Sequence, residues 1–303
     1  MKTLKLFILS VLMTLIILWN PVDAKAEVIT KGAGGCTWTY DTDKETLTIS
    51  GKGVFSTDKF NSPFTGYRVK TVIIESGITE IGKSAFQGYD YLHTVVLPDT
   101  ITNIQAYAFN KCFALKNINF PKGLVSIGSH AFDECSLQSI ALPESLEYIG
   151  VFSFARNNHL TSITIPKGIK TISDHAFWSC ESVVSVFIPD GVTCIEMSAF
   201  EGCIALRDIS IPDSVTTISR QAFSKCDSMS QIRIGSGVTE IGDYAFVDCY
   251  NLEKVIYNGT QAQWDAISIG GYNTKLTKAT LVTLSKEPCK DSHQYKSTVT
   301  PPS

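Results

Sequence analysis

Nine cysteines give this chain its most varied possible chemistry, since a thiol can bind metal, form a disulfide or act as a nucleophile. A structural zinc site needs four converging ligands, often in pairs two to four residues apart, and no such pairs occur. Neighbouring strands about 4.8 Å apart would allow a disulfide, so geometry alone does not exclude one. We expect a reduced ladder in the core instead, because cysteine behaves as a small hydrophobic residue. Six cysteines share one position of a regular spacing: Cys112, Cys135, Cys180, Cys203, Cys226 and Cys249.

The other cysteines and the histidines do not converge on a site. Cys36, Cys194 and Cys289 lie outside the common position, and we predict no bridge between the first and the last of them, although their state stays open. His130 and His175 share one repeat position but lie two repeats apart. Strand spacing would separate them by about 10 Å, so we expect surface residues.

No constellation of residues predicts a metal site, a cofactor or catalysis. Asp41 and Asp43 could suggest calcium, but an EF-hand loop needs further acidic positions and a Glu at its twelfth, so a solvated hairpin turn is expected. The sequence contains no Gly-x-Ser-x-Gly, no Cys-His pair with an orienting group and no Gly-rich phosphate loop. We therefore expect no catalytic residue, no bound metal and no cofactor, and do not expect an enzyme.

The residues that position these side chains recur along the chain. The dipeptide Ala-Phe repeats so that its phenylalanines are 23 residues apart, with one step of 22 and Ser replacing Ala once. A fixed period between 20 and 50 residues indicates a solenoid. We expect the phenylalanines to form a core ladder beside the cysteines: Phe86, Phe109, Phe132, Phe154, Phe177, Phe200, Phe223 and Phe246.

One repeat shows how the elements follow from the residues. Ile163 and Ile165 alternate with Ser162 and Thr164, the pattern of a strand with one buried face. Pro166 ends this strand, since proline cannot donate to a ladder. Further along the same repeat, a turn brings two isoleucines inward, and a short helical segment places a phenylalanine and a cysteine three residues apart on one face.

A single coil cannot bury its own apolar face, so the coils must stack and their strands must pair in parallel. The predicted fold is therefore a repeat solenoid, a right-handed coil resembling leucine-rich repeats. A parallel sheet covers one of its faces, short helical or 3-10 turns connect the strands, and a β-hairpin caps the N-terminal end.

The predicted organisation has five parts. Residues 1–26 form a secretory signal peptide, 27–68 an N-terminal β cap, 69–251 eight repeats, 252–284 a partial repeat with a C-terminal cap, and 285–303 a flexible tail. The signal assignment rests on a cationic start and an apolar run shorter than the about 20 residues of a membrane span. The small residues Ala24 and Ala26 then place the cleavage after Ala26.

Charge and targeting restrict the partners. The formal net charge is -3, with no basic surplus to neutralise a phosphate backbone, which argues against nucleic acid. With the signal peptide removed, no apolar run of spanning length is expected in the mature chain. These features predict a secreted, extracellular protein that could be held at the cell surface.

The repeat resembles the BspA-type leucine-rich repeats, whose unit reads approximately L-x-x-I-x-I-P-x-x-V-T-x-I-G-x-x-A-F-x-x-C. The segment from Ile209 to Ile218 and the segment from Ala222 to Cys226 match it nearly position for position. The resemblance implies a leucine-rich repeat fold and a secreted or surface bacterial protein. Because some members of the family are adhesins that bind host matrix proteins or other bacteria, the resemblance also implies a candidate role in adhesion.

The fourth repeat departs from this pattern. It is one residue short between Cys135 and Leu137, and it has Ser153 in place of Ala and Asn157 in place of Cys. We interpret the departure as sequence drift, with a local kink or a recognition feature as the alternative.

The outward positions of the predicted sheet form a candidate binding face for an extracellular protein, either a host matrix or a bacterial surface protein. Interface hot spots favour aromatic residues and Arg, so Phe187 and Arg233 are the strongest candidates. The alternatives are a structural spacer and a glycan- or complex-binding module of an extracellular assembly. The candidate face comprises Ile73, Val96, Asn119, Thr164, Phe187, Ser210 and Arg233.

Overall fold

The computed structural model describes residues 35–56 and 67–284. The predicted signal peptide, the predicted tail and Cys289 lie outside these residues. The strands of the described part are β1 (Thr37–Asp41), β2 (Thr46–Ser50), β3 (Gly53–Phe55), β4 (Thr71–Ile74), β5 (Ile78–Ile81), β6 (Thr94–Val96), β7 (Asn103–Ile104), β8 (Asn117–Ile118), β9 (Ser126–Ile127), β10 (Tyr148–Ile149), β11 (Ser162–Thr164), β12 (Thr171–Ile172), β13 (Ser185–Phe187), β14 (Cys194–Ile195), β15 (Asp208–Ser210), β16 (Thr217–Ile218), β17 (Gln231–Ile234), β18 (Glu240–Ile241), β19 (Lys254–Tyr257), β20 (Ser268–Ile269) and β21 (Thr280–Thr283). Two short helices, α1 (Gln261–Asp265) and α2 (Thr274–Lys278), lie between the last strands.

The strands form two ladders that run along the solenoid. The major sheet has an N-terminal part, β1-β2-β4-β6-β8, and a C-terminal part, β11-β13-β15-β17-β19-β21. The minor sheet likewise has two parts, β3-β5-β7-β9-β10 and β12-β14-β16-β18-β20. Equivalent residues of successive repeats pair in parallel, as Ile163 does with Val186. The predicted repeat solenoid is thus confirmed, and the minor sheet adds a second ladder where the sequence indicated a turn.

The solenoid extends beyond the eight predicted repeats at both ends. The hairpin of β1 and β2 continues into the major sheet, because β2 pairs in parallel with β4, and β3 pairs with β5. Phe55, at the end of β3, stacks on Phe86 with ring centroids 5.4 Å apart. At the other end β19, β20 and β21 pair with the coils before them. One coil therefore precedes the eight repeats, and at least one follows them.

The Ala-Phe segment of each repeat is a run of turns and contains no helix. Its backbone bonds alternate: Ala176 N donates to Ser173 O in its own coil (3.1 Å), and Phe177 N donates to Ala199 O in the next (2.9 Å). The residue before the Ala position is left-handed in every repeat, as His175 is with a φ of 54°. Such backbone costs a non-glycine residue about 1 to 2 kcal/mol. The hydrogen bond that this residue donates to the next coil helps to offset the cost.

The core is a continuous column of rings. All eight repeat phenylalanines are fully buried. Successive rings lie 5.2 to 5.6 Å apart and within 14° of parallel. Aromatic pairs of this kind contribute about 0.5 to 1.5 kcal/mol beyond the area they bury, so the column holds each coil to the next.

Both sheets are interrupted at the short fourth repeat. Residues 139–142 form no strand, and the major sheet stops at β8 and resumes at β11, while the minor sheet stops at β10 and resumes at β12. The inward residues around this break are only partly buried: Ile118, Phe120, Ile140 and Leu142. The missing residue thus coincides with an interruption of both ladders.

Candidate functional site

The cysteine ladder is a hydrogen-bonded part of the core. Each thiol donates to the carbonyl of the phenylalanine 26 residues earlier, at 3.1 to 3.5 Å. Burial is the main reason that the pKa of Cys112, Cys180 and Cys249 rises to about 12. Thiols held protonated in this way are poor nucleophiles and poor metal ligands. In the described part of the chain, no group of three or more His, Cys, Asp or Glu residues could hold a metal ion.

The remaining described cysteines are also unbridged. Cys36 is buried, and its thiol lies 3.9 Å from the carbonyl of Val54. Cys194 lies half-buried on the minor sheet, where burial raises its pKa. Both are free thiols.

At the short repeat, Asn157 makes the hydrogen bond that a ladder cysteine makes in the other repeats. Its Nδ2 donates to Phe132 O at 2.8 Å, the carbonyl that a thiol would reach, and its Oδ1 accepts from Leu137 N at 3.2 Å. In a regular repeat the equivalent of Leu137 donates to the cysteine carbonyl three residues earlier, as Leu115 does to Cys112 at 2.9 Å. The missing residue removes this turn in the fourth repeat, and the amide of Asn157 replaces the lost partner.

The two histidines lie in an aromatic column that the sequence did not predict. Tyr107, His130, Phe152 and His175 stack with ring centroids 4.2 to 4.8 Å apart. Trp178 makes edge contacts with the last two of these rings. Each ring inside this column is covered on both faces by its neighbours, so its faces are not free to contact a ligand. Phe152, in the repeat between the histidines, is the sequence signal that could have revealed the column.

A buried carboxylate lies beside this column. Asp133 Oδ2 is 2.9 Å from His130 Nδ1 and 2.7 Å from Arg156 Nη2, and Arg156 also pairs with Glu134 at 3.0 Å. Burial raises the pKa of Asp133, while the hydrogen bond from His130 and the charge of Arg156 oppose the rise. The cluster joins two adjacent coils and is a structural ion pair at the short repeat.

Asp41 belongs to the turn of the N-terminal hairpin. Its Oδ1 accepts from the backbone N–H groups of Asp43 and Lys44 at 3.1 and 3.0 Å. These bonds lower the pKa of Asp41. The pair of aspartates is therefore arranged as a turn.

The seven candidate residues of the binding face all lie on the outward side of the major sheet, but the break divides them. Ile73, Val96 and Asn119 belong to the N-terminal side of the break. The side-chain amide of Asn119 is already hydrogen-bonded to the backbone of the sheet: it accepts from Leu97 N and donates to Leu97 O, both at 2.8 Å. This residue is therefore a poor candidate for ligand contact. The other four, Thr164, Phe187, Ser210 and Arg233, lie together in the C-terminal part.

Phe187, Ser210 and Arg233 occupy adjacent strands of this part. Phe187 is 59% exposed, and Ser210 pairs in register with Arg233. Strands β13 and β15 pair through two residue pairs, one fewer than β15 and β17. A depression of about 190 Å³ opens over this region, lined by Val186, Asp208, Ile209, Ser210, Gln231, Arg233 and Ile256. Its apolar floor reaches residues of the core.

The rim of the depression carries charges of both signs. Asp208 and Arg233 lie on neighbouring strands, and neither has an ion-pair partner among the described residues. Alternation along the strands marks Asp208 and Gln231 as outward-facing, but only the structure shows that they share a depression with Arg233. The depression thus brings together an acidic side chain, a basic side chain and two uncharged polar ones around an apolar floor.

No helix in the described ranges is both long enough and apolar enough to cross a membrane. Solved structures resemble the fold. A leucine-rich repeat protein from Bacteroides ovatus is 24% identical with a TM-score of 0.65, over 84% of this chain and 71% of that one. A leucine-rich repeat protein from Eubacterium ventriosum is 22% identical with a TM-score of 0.45, over 83% of both chains. A leucine rich cell surface protein from Faecalibacterium prausnitzii is 22% identical with a TM-score of 0.32, over 81% of this chain and 99% of that one.

At these identities the similarity to the Bacteroides ovatus protein concerns the fold alone. No curated protein matches the chain. The model of the BspA type leucine rich repeat region matches residues 79–203 and 170–286, with 6 copies of the repeat. Because these matches span most of the 303 residues, the chain belongs to the BspA-type leucine-rich repeat family.

Proposed function

We propose that this protein is a secreted or cell-surface recognition module without catalytic activity. It binds an extracellular protein, either a host matrix protein or a bacterial surface protein, through the C-terminal part of the major sheet. The observation that carries the proposal is the depression over Ser210, with an exposed Phe187 beside it and an unpaired Arg233 on its rim. Aromatic residues and Arg are the commonest hot spots of protein interfaces.

The alternative functions have less support. A glycan-binding module would offer several free ring faces to sugars, whereas Phe187 is the one aromatic residue among the seven positions of the candidate face. A structural spacer would not need a depression lined by unpaired charges. The family membership is consistent with recognition as the general role, and adhesion is the specific form that we propose.

Capture from mixtures tests the proposal. The full chain, immobilised, should retain a protein from host matrix extract or from a bacterial surface extract, identified by mass spectrometry. The double variant Phe187→Ala/Arg233→Ala should lose that protein. Phe113→Ala/Lys116→Ala is the matched control, because it removes an exposed aromatic ring and a cation away from the site, and it should retain the protein. Equal retention by the two double variants would refute the assignment of the face.

Export is testable separately. Expression in a bacterial host with an intact secretion pathway should release a protein whose N-terminal residue is Glu27. Retention of the unprocessed chain in the cytoplasm would contradict a secreted or surface role.

A further inference from the structure

We infer that the depression over Ser210 binds an extended segment of a protein partner in which a basic and an acidic side chain stand two residues apart. This inference rests on the proposed function and specifies the chemistry of its ligand. The acidic side chain would pair with Arg233 and the basic one with Asp208. The order of the two along the ligand depends on the direction in which the segment lies.

The spacing of the two unpaired charges carries the inference. Asp208 is in register with Gln231 on the next strand, and Arg233 lies two residues beyond Gln231. With parallel strands about 4.8 Å apart and an advance of about 6.6 to 6.8 Å over two residues, such diagonal neighbours are about 8 Å apart. Side chains on one face of an extended strand recur about every 6.6 to 6.8 Å, since each residue advances about 3.3 to 3.4 Å. An extended segment therefore presents alternate side chains at nearly the separation of the two charges.

The lining between the charges suits a peptide. Ser210 and Gln231 offer hydrogen-bonding groups, while Val186, Ile209 and Ile256 supply apolar contact. Asp208 would repel a polyanion such as nucleic acid. Phe187, on the strand beside Ser210, is the wall against which an apolar side chain of the same segment would pack.

The charge pattern of the rest of the sheet points to this location. The outward residues along β4, β6 and β8 are uncharged: Thr71, Ile73, Thr94, Val96, Asn117 and Asn119. The outward residues of β15, β17 and β19 include Asp208, Arg233 and Lys254. Charge complementarity to a ligand with both signs is therefore available in the C-terminal part of the sheet.

Three peptides test the inference with the full chain. The probe is the end-blocked nonapeptide Thr-Val-Thr-Lys-Thr-Glu-Thr-Val-Thr, and its comparisons carry Lys-Thr-Lys or Glu-Thr-Glu at the centre. Fluorescence anisotropy at low salt should show that the Lys-Thr-Glu peptide binds about fivefold more tightly than either comparison. That factor corresponds to about 1 kcal/mol, the upper range for an exposed ion pair.

Charge reversal should switch the preference. Arg233→Glu should favour the Lys-Thr-Lys peptide, and Asp208→Lys should favour the Glu-Thr-Glu peptide. Lys116→Glu changes the net charge as much as Arg233→Glu but lies beside β8, so it should keep the preference for Lys-Thr-Glu. Far-ultraviolet circular dichroism should show that all three variants keep the fold of the unmodified chain.

Several outcomes would overturn the inference. They are equal affinity for the three peptides, no binding of any peptide at millimolar concentration, or a switch of preference in Lys116→Glu. A dimer of the chain that dissociates on Arg233→Glu would make a second copy the occupant and overturn it as well. If the peptides fail while Phe187→Ala/Arg233→Ala still loses a captured protein, the ligand pattern is wrong and protein recognition stands. If no protein is captured either, the proposed function fails too.

Discussion

The six ladder thiols should make the fold sensitive to mildly alkaline solution. Burial raises the pKa of Cys112, Cys180 and Cys249 from 9.0 to about 12. Burial also raises the pKa of Cys135, Cys203 and Cys226 well above 9.0. Because the folded pKa exceeds the unfolded one, this stabilisation is fully present below about pH 9 and is lost as the pH rises towards 12.

The loss is large enough to measure. At pH 10 an unfolded thiol lies one unit above its pKa, and proton linkage then costs the folded state about 1.4 kcal/mol per thiol. Three thiols with a folded pKa of about 12 give a loss of about 4 kcal/mol, and the raised pKa of the other three adds to it in the same direction. Since domains are stable by about 5 to 15 kcal/mol, unfolding should begin near pH 10.

Urea unfolding, followed by circular dichroism at pH 7.5 and pH 10 with a reductant present, measures this loss. The triple variant Cys112→Ala/Cys180→Ala/Cys249→Ala should show a loss about 4 kcal/mol smaller than that of the unmodified chain, since it removes the three thiols whose pKa rises to about 12. Cys194→Ser, at a half-buried position on the minor sheet, should show nearly all of it. The reasoning is refuted if the unmodified chain loses under about 1 kcal/mol by pH 10, or if the triple variant loses as much as the unmodified chain.

Three substitutions test the packing of the coils by urea or thermal unfolding. Phe177→Ala should cost about 3 to 5 kcal/mol, since it opens a cavity in the ring column, and a near-neutral effect would place this ring outside the core. Asn157→Ala should cost about 2 to 3 kcal/mol by leaving buried backbone groups without partners, and Asn157→Cys should recover part of that, whereas no recovery would contradict the shared role. Arg156→Ala should cost about 2 kcal/mol at pH 7, because the buried Asp133 then keeps His130 but loses its guanidinium partner. That loss should shrink at acidic pH as Asp133 takes up a proton, and an equal loss at both pH values would contradict the ion pair.

The fold could be predicted from the sequence because the same positions are buried in every repeat, and burial restricts them to the same residue types. Ile163 and Ile165 face the core from a strand, and Phe177 faces it from the turns, so their identities recur with the period of the coil. The ladder positions were predictable for the same reason. Asn157 fits the cysteine position once the missing residue is considered, because the shortened turn leaves a backbone N–H that a thiol cannot serve.

Features set by only two residues, or by contacts between repeats, were not predictable. The minor-sheet strand Thr171–Ile172 is too short to show an alternation. The stack of His130, Phe152 and His175 was missed although the three residues share one repeat position, because each is ordinary within its own repeat. Asn119 resembles any polar outward residue, yet its amide replaces backbone pairing with Leu97 beside the break.

The candidate site was predictable in part. Phe187 and Arg233 stand out by residue type among small polar neighbours. Their separation by Ser210 follows from the register of the repeats. The depression itself is formed by side chains of four neighbouring strands, and the spacing of residues within one repeat does not show it.

The short repeat affects the surface and the core differently. Phe132 and Phe154 stack across it at 5.3 Å and 8°, as closely as rings of the regular repeats, so the core column is unbroken. The major sheet, in contrast, has no strand in this repeat, and the minor sheet stops at β10 within it and resumes at β12 in the next repeat. In a solenoid each coil depends mainly on its neighbours, so a continuous core can carry a divided surface. The missing residue thus separates the uncharged outward residues of β4, β6 and β8 from the C-terminal part of the major sheet, which carries Asp208 and Arg233 and the proposed binding site.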